Sequence, residues 1–209
     1  MRKAKMMFVS LLAVFAVGAV SSASASALLW SVNGSTTFGT EKISEGLITI
    51  EHGLLTGDGL EITCPMLNIV GGLIKEGKTG MATSATFSEC KLINKTETCV
   101  LSSETIETNP GTADLANATE IEVAPEGTNE FTTVKLNNVS GHTCSVKGKF
   151  VISGTARLEV GNASSEEPEH LLTLSAASNL AINGNASTIK GSGKGKLTSG
   201  NKWSIMATP

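Results

Sequence analysis

Four cysteines, at positions 64, 90, 99 and 144, constrain this chain more than any other feature. An even number of cysteines in an exported chain reads as two disulfides, with three connectivities open. The most suggestive stretch is TSATFSECKLINKTETC, residues 83–99. There a strand-like run ends at Cys90, a short polar excursion follows, and Cys99 opens the next strand-like run. A hairpin clasped by Cys90 and Cys99 is the expected arrangement, leaving Cys64 to pair with Cys144. On loop-closure entropy the short bridge contributes about 2.7 kcal/mol and the long one about 4.5. A catalytic thiol needs a free cysteine, and this count leaves none over.

Export is read from the amino terminus. Arg2, Lys3 and Lys5 precede an apolar run from Met6 to Val20, and Ala23, Ala25 and Ala27 follow at alternate positions. Charge, short apolar core and small-x-small site, in that order, make a secretory signal peptide over 1–27, with cleavage between Ala27 and Leu28. The run contains Ser10 and Gly18 and is shorter than the roughly 20 residues of a membrane span. No membrane span is expected in the mature chain, 28–209, which is read as a single β domain located outside the cell or at its surface. The leader carries three of the 16 basic residues and none of the 19 acidic ones, so its removal shifts the net charge from −3 to −6. A nucleic-acid partner, whose phosphates need a basic footprint, is therefore not expected.

From Leu28 onward, short β-rich runs alternate with turn residues. LITIE and LEITC flank TGDG (56–59), LNIVGGLIK meets EGKTG, and MATSATF leads to Cys90. In that last run Met81, Thr83, Ala85 and Phe87 share a weakly apolar face. The clearest alternation places Cys144, Val146, Gly148, Phe150 and Ile152 on one side, and after Ser153-Gly154 it places Ala156, Leu158 and Val160 together. Two such runs suggest an antiparallel hairpin over a core. GNASSEEPEH (161–170) reads as a linker, and 171–209 as further hairpins around Asn183-Gly184 and Ser199-Gly200, a candidate carboxyl-terminal lobe. Gly191, Gly193 and Gly195 fall on one face of a strand and Lys190, Lys194 and Lys196 on the other, the pattern of a lysine-guarded edge. The expected fold is an all-β antiparallel sandwich or jelly-roll.

GLIKEGKT (72–79) satisfies the phosphate-loop pattern residue for residue, but the sequence after it has period two where the loop needs a helix. It is read as a hairpin turn, with no nucleotide. His52, His142 and His170 lack metal-ligand spacing, and Glu166, Glu167, Glu169 and His170 read as a solvated loop, so no metal or other cofactor is expected. Only Asp58 and Asp114 among the acidic residues are aspartates, and no Glu pair stands out for glycoside hydrolysis. Tyr is absent and Trp30 and Trp203 are the only tryptophans, a poor endowment for sugar platforms. Asn33, Asn94, Asn117, Asn138, Asn162 and Asn185 each begin an N-x-[ST] sequon, in a chain rich enough in Asn, Ser and Thr for chance to supply several.

LLWSVNG, EITC at Cys64, ATFSECK before a second close cysteine, IETNP, and HTCSVKG at Cys144 together resemble a group of exported actinobacterial proteins of unknown function with paired cysteines. The resemblance implies an exported, cysteine-stapled β domain and brings no activity, ligand or catalytic residue. The expected function is a non-catalytic exported module that associates with cell-envelope components or adheres to a surface. A secreted hydrolase using a Glu pair and a small-ligand carrier with an apolar cavity between sheets are the alternatives.

Overall fold

The structure, a computed structural model, describes residues 27–43, 47–49, 51–82, 84–94, 96–175 and 177–208. The expected leader up to residue 26 lies outside the described residues, while Ala27 and Leu28 lie within them. The regular structure among the described residues is all β. The first seven strands are β1 (Leu28–Val32), β2 (Thr40–Lys42), β3 (Leu47–Thr49), β4 (Glu51–Gly57), β5 (Leu60–Thr63), β6 (Met66–Val70) and β7 (Leu73–Lys75). Next come β8 (Thr79–Ala82), β9 (Ser84–Ser88), β10 (Lys91–Leu92), β11 (Cys99–Leu101), β12 (Ile106–Glu107), β13 (Gly111–Asn117) and β14 (Glu120–Pro125). The remainder are β15 (Glu130–Asn138), β16 (Gly148–Val160), β17 (Glu169–Leu174), β18 (Asn179–Ile182), β19 (Asn185–Lys196) and β20 (Trp203–Ala207).

These strands make one 14-stranded sheet, a four-stranded sheet in the order β12-β9-β6-β3, and a two-stranded ribbon of β1 with β20. The turn signals act as the sequence suggests. Asp58-Gly59 joins β4 to β5 with φ of 49° and 73°, and Asn183-Gly184 joins β18 to β19 with φ of 50° and 82°. Two successive positive φ values match the right-handed twist of the flanking strands, which is why Asn-Gly and Asp-Gly are favoured there. GLIKEGKT forms the β7–β8 hairpin, turning through Gly77 at φ 91°.

Four expectations are corrected. The run 144–160 is no hairpin: from Gly148 it is a single 13-residue strand, β16, passing straight through Gly154 at φ 104°. The first half of β16 pairs with β15 and β18, and the second with β14 and β17. A β-carbon at Gly154 would lie 1.9 Å from the Asn179 carbonyl oxygen, so glycine serves close approach of backbones here, not a turn. The run 81–87 contributes to two strands in different sheets, β8 and β9, and Thr83 lies outside the described residues. The supposed linker is packed, with Ala163 and His170 buried and the Ile205 and Trp203 amides donating to the Ala163 and Glu167 carbonyls at 2.7 and 2.9 Å. The supposed edge strand, β19, is interior, bonded to β17, β18 and β4.

The disulfide pairing is corrected as well. Cys64 is bonded to Cys90 and Cys99 to Cys144. The stretch 83–99 is not a hairpin, because β9 joins the four-stranded sheet, β10 pairs with β5, and β11 pairs with β15. Lys91 opposite Thr63 brings Cys90 beside Cys64, with Cα atoms 4.1 Å apart. Cys99 lies opposite Asn138, whose side-chain oxygen accepts the Cys144 amide and turns that loop back onto Cys99. The bridges therefore close loops of 26 and 45 positions in series.

Two apolar cores result. The first gathers Leu60, Ile62, Leu136, Phe150, Ile152 and Ile182 around all four cysteines. The second gathers Trp30, Val32, Ile121, Val160, Trp203 and Ile205, where β1 and β20 meet the large sheet.

Candidate functional site

Between these cores lies an apolar cavity of about 180 Å³. One wall is the four-stranded sheet, whose alternate residues Leu67 and Ile69 on β6 and Ala85 and Phe87 on β9 face inward. The opposite wall belongs to the large sheet, and Trp30 and Trp203 line the end nearest the ribbon. The glycines of β19 explain much of the space: Gly191, Gly193 and Gly195 all line the cavity and present no side chain to fill it. At Gly195 the space is already taken by Leu172, whose Cδ1 would lie 2.8 Å from a β-carbon there. Met81, Ala85 and Phe87, the weakly apolar face of the sequence, line the cavity together although their strands belong to different sheets.

The tryptophan end is built by a local symmetry. Trp30-Ser31-Val32 and Trp203-Ser204-Ile205 run antiparallel, with Ser31 opposite Ser204, Trp30 opposite Ile205 and Val32 opposite Trp203. The two indoles are thus diagonal neighbours on one face of the ribbon, their ring centroids 5.8 Å apart. Trp30 is 2% exposed and Trp203 5%, and neither indole Nε1 has a hydrogen-bond partner. The repeated W-S-[VI] motif, at residues 30–32 and 203–205, was the available signal for this pair.

The serine face of the ribbon meets the segment 161–170. Ser31 and Ser204 both donate to Glu166 Oε1, at 2.7 and 2.8 Å. Burial pushes the Glu166 carboxyl up, but the two serine hydroxyls, the Gly34 amide and the Lys202 charge outweigh it and hold the group below the usual carboxylate range. His170, 2% exposed, packs against Trp203 with ring centroids 4.1 Å apart and planes tilted by 56°, with Nδ1 2.9 Å from the Gly161 carbonyl and Nε2 2.7 Å from the Trp203 carbonyl. Glu169 points elsewhere, to Lys194 at 2.8 Å, and its charge and hydrogen bond hold that ammonium above the usual lysine range. The acidic loop thus separates its side chains instead of converging them. Among the described residues no three His, Cys, Asp or Glu side chains converge as a metal site.

The remaining sequence candidates take structural places. His142 is exposed on the loop before Cys144, and the His52 side chain lies outside what is described. Glu120 and Glu122 both face Arg157, at 3.6 and 3.0 Å. Five of the six sequon asparagines bind turns: Asn33 accepts the Lys202 amide, Asn94 bridges Glu61 and Gly59, Asn117 accepts the Thr119 amide, Asn138 holds Cys144, and Asn185 donates to Asp58. The sixth, Asn162, sits in a turn at φ 52°. Among the described residues no helix is long and apolar enough to cross a membrane. Compared with protein-family models, curated proteins and solved structures, the chain matches none of them.

Proposed function

We propose that this chain is an exported, sandwich-like β module without catalytic chemistry that takes up a small apolar molecule between its sheets, in the cell envelope or the cell's surroundings. The two disulfides are compatible with an oxidising compartment, and the paired-cysteine motifs resemble those of exported actinobacterial proteins. The observation that carries the reading is the cavity. Side chains around about 180 Å³ of unfilled space lack packing partners on one side and forgo that dispersion attraction. A ligand that fills the space recovers the missing contacts. Dry apolar cavities of about 150 Å³ accept benzene, which sets the ligand's scale at a compact molecule of one ring with short substituents.

Of the readings open from the sequence, the small-ligand carrier is the one that gains a specific observation. Surface adhesion gains none, since the exposed large apolar residues Val70, Ile93, Val100, Leu171 and Met206 are spread over separate elements. Titration of the oxidised protein with cumene, followed by methyl and indole NMR resonances, tests the proposal. Saturable shifts confined to cavity residues such as Leu67, Ile69 and Leu172 are expected, and Ala85→Leu, which extends into the cavity, is expected to abolish them. No saturable shift up to the solubility limit of cumene overturns the reading.

A further inference from the structure

The cavity has a neighbour. A second apolar space of about 50 Å³ lies in the core that holds the cysteines, bordered by Leu55 on β4, Ile62 on β5, Cys64 and Leu180 on β18. Phe87, Phe131, Leu174 and Ile189 border both spaces, so the partition between them is a single layer of side chains. All four are only half-buried, in contrast to Ile62 and Leu180 behind them. A side chain with unfilled space on two faces lacks packing partners on both, and is held less firmly than its neighbours. Both spaces are walled almost wholly by carbon. A polar group inside either would give up its bonds to water and find no replacement.

We propose that the ligand is a hydrocarbon with an unbranched alkyl tail, its compact body in the larger cavity against Leu67 and Ile69 and its tail passing the Phe87–Phe131 partition into the smaller one. This rests on the cavity-binding reading above and adds the shape of the ligand. A turn of either phenylalanine between staggered rotamers admits the tail without moving a strand. An unbranched chain has the smallest cross-section a hydrocarbon can offer, so it threads the partition where a branched group of equal carbon count is held back. Once through, it supplies the contacts that Leu55, Ile62 and Leu180 lack. The bound molecule then spans the two cores, touching the lining near the ribbon at one end and the surroundings of Cys64 at the other.

Butylbenzene and tert-butylbenzene make the test, being isomers whose transfer from water is closely matched, so that a difference in binding reports shape. Butylbenzene is expected to bind at least about fourfold more tightly, the yield of one further methylene buried. It is also expected to shift the methyl NMR resonances of Leu55, Ile62 and Leu180 together with those of Leu67 and Ile69, whereas tert-butylbenzene and cumene shift only the last two. Leu55→Phe, which fills the smaller space from a half-buried position, is expected to abolish the preference and leave cumene affinity within about twofold. Equal affinities, or tighter binding of the branched isomer, with the Leu55 and Leu180 signals unmoved overturn the tail and leave cavity binding standing. Failure of all three probes to bind overturns the cavity reading and this proposal with it. The comparison of isomers is made on the unmodified protein and does not depend on the variant folding.

Discussion

The two cores of this molecule are secured by different means. The core around Leu60, Leu136 and Ile182 contains both disulfides, whereas the core around Trp30, Val160 and Trp203 contains none. The stapled core is served by short strands: β10 and β12 have two residues each and β11 has three. Ladders that short supply too few backbone bonds to hold their own position, and the staples at Cys90 and Cys99 sit at their ends. The terminal core relies instead on the five-residue ribbon of β1 and β20, on Glu166 beneath its serine pair and on His170 against Trp203. It joins positions as far apart as Ala27 and Thr208, 181 residues distant, without a covalent bond. Covalent closure is thus placed where local pairing is weakest, and not where the chain must travel furthest. The cavity opens between the two, where neither core fills the space over the β19 glycines.

One strand serves both cores, and breaking it should produce the largest effect. β16 contributes Phe150 and Ile152 to the stapled core and Val160 to the terminal one. Gly154→Ala places a β-carbon against the Asn179 carbonyl at a φ that side chains rarely adopt, and is expected to cost about 4–5 kcal/mol or to prevent folding. Urea titration should show indole fluorescence, which reports the terminal core, and far-UV circular dichroism lost together. Removing a staple should act on one side only. Cys99→Ser/Cys144→Ser is expected to cost about 4 kcal/mol and Cys64→Ser/Cys90→Ser about 3.5, from the lengths of the loops they close. Hydrogen exchange is expected to quicken in β11 and β15 while β1 and β20 keep their protection. Equal loss in the ribbon would merge the two cores into one cooperative unit.

In the terminal core the corresponding single change is His170→Ala. It removes the ring nitrogens that face the Gly161 and Trp203 carbonyls, each a donor only when it carries a proton, and opens a void beside the Trp203 indole, an expected cost of about 3 kcal/mol by urea denaturation. His170→Asn, which keeps one donor, should recover part of it. Loss of less than about 1 kcal/mol in the alanine variant would mean that the ribbon holds without the histidine.

Much of this architecture was legible in the residues. Asp58-Gly59 and Asn183-Gly184 turn as their dipeptides dictate, because positive φ at successive positions is a local property. Period-two alternation located the inward face of β16, with Phe150, Ile152, Ala156 and Val160 all buried. Pairing partners were not legible, since alternation fixes which face is inward and says nothing about which strand lies alongside. That is why Ser153-Gly154 read as a turn when Gly154 actually admits β18, and why Cys90 and Cys99, close in sequence, belong to strands with different neighbours. The glycine stripe of β19 was visible, but its meaning as missing volume depends on Leu67 and Phe87 lying across from it, a relation no local pattern encodes. The Trp30–Trp203 pair was the nearest miss, its W-S-[VI] repeat being present at both ends and its antiparallel register making the two motifs symmetric.

The smallest expected effect distinguishes the cores most cleanly, because it depends on pH. Glu166 is held below its ordinary value of 4.5 in the folded chain, so its ionised form is the one the fold prefers. Above about pH 5 the unfolded chain is ionised too and the full stabilisation is present; as pH falls through the lowered folded value, that stabilisation is lost. Glu166→Gln keeps an acceptor for Ser31 and Ser204 but removes the charge, at an expected cost of about 1–1.5 kcal/mol near neutrality. The gap between the native protein and this variant should hold steady above about pH 5 and close toward pH 3, measured by urea midpoints at each pH. A gap that persists unchanged to pH 3 would assign the cost to shape and not to charge. Disulfides do not titrate, so over the same range the stapled core keeps its principal constraint while the terminal core surrenders one of its own. Acid should therefore loosen the ribbon before the staples' neighbourhood, and with it the tryptophan end of the cavity.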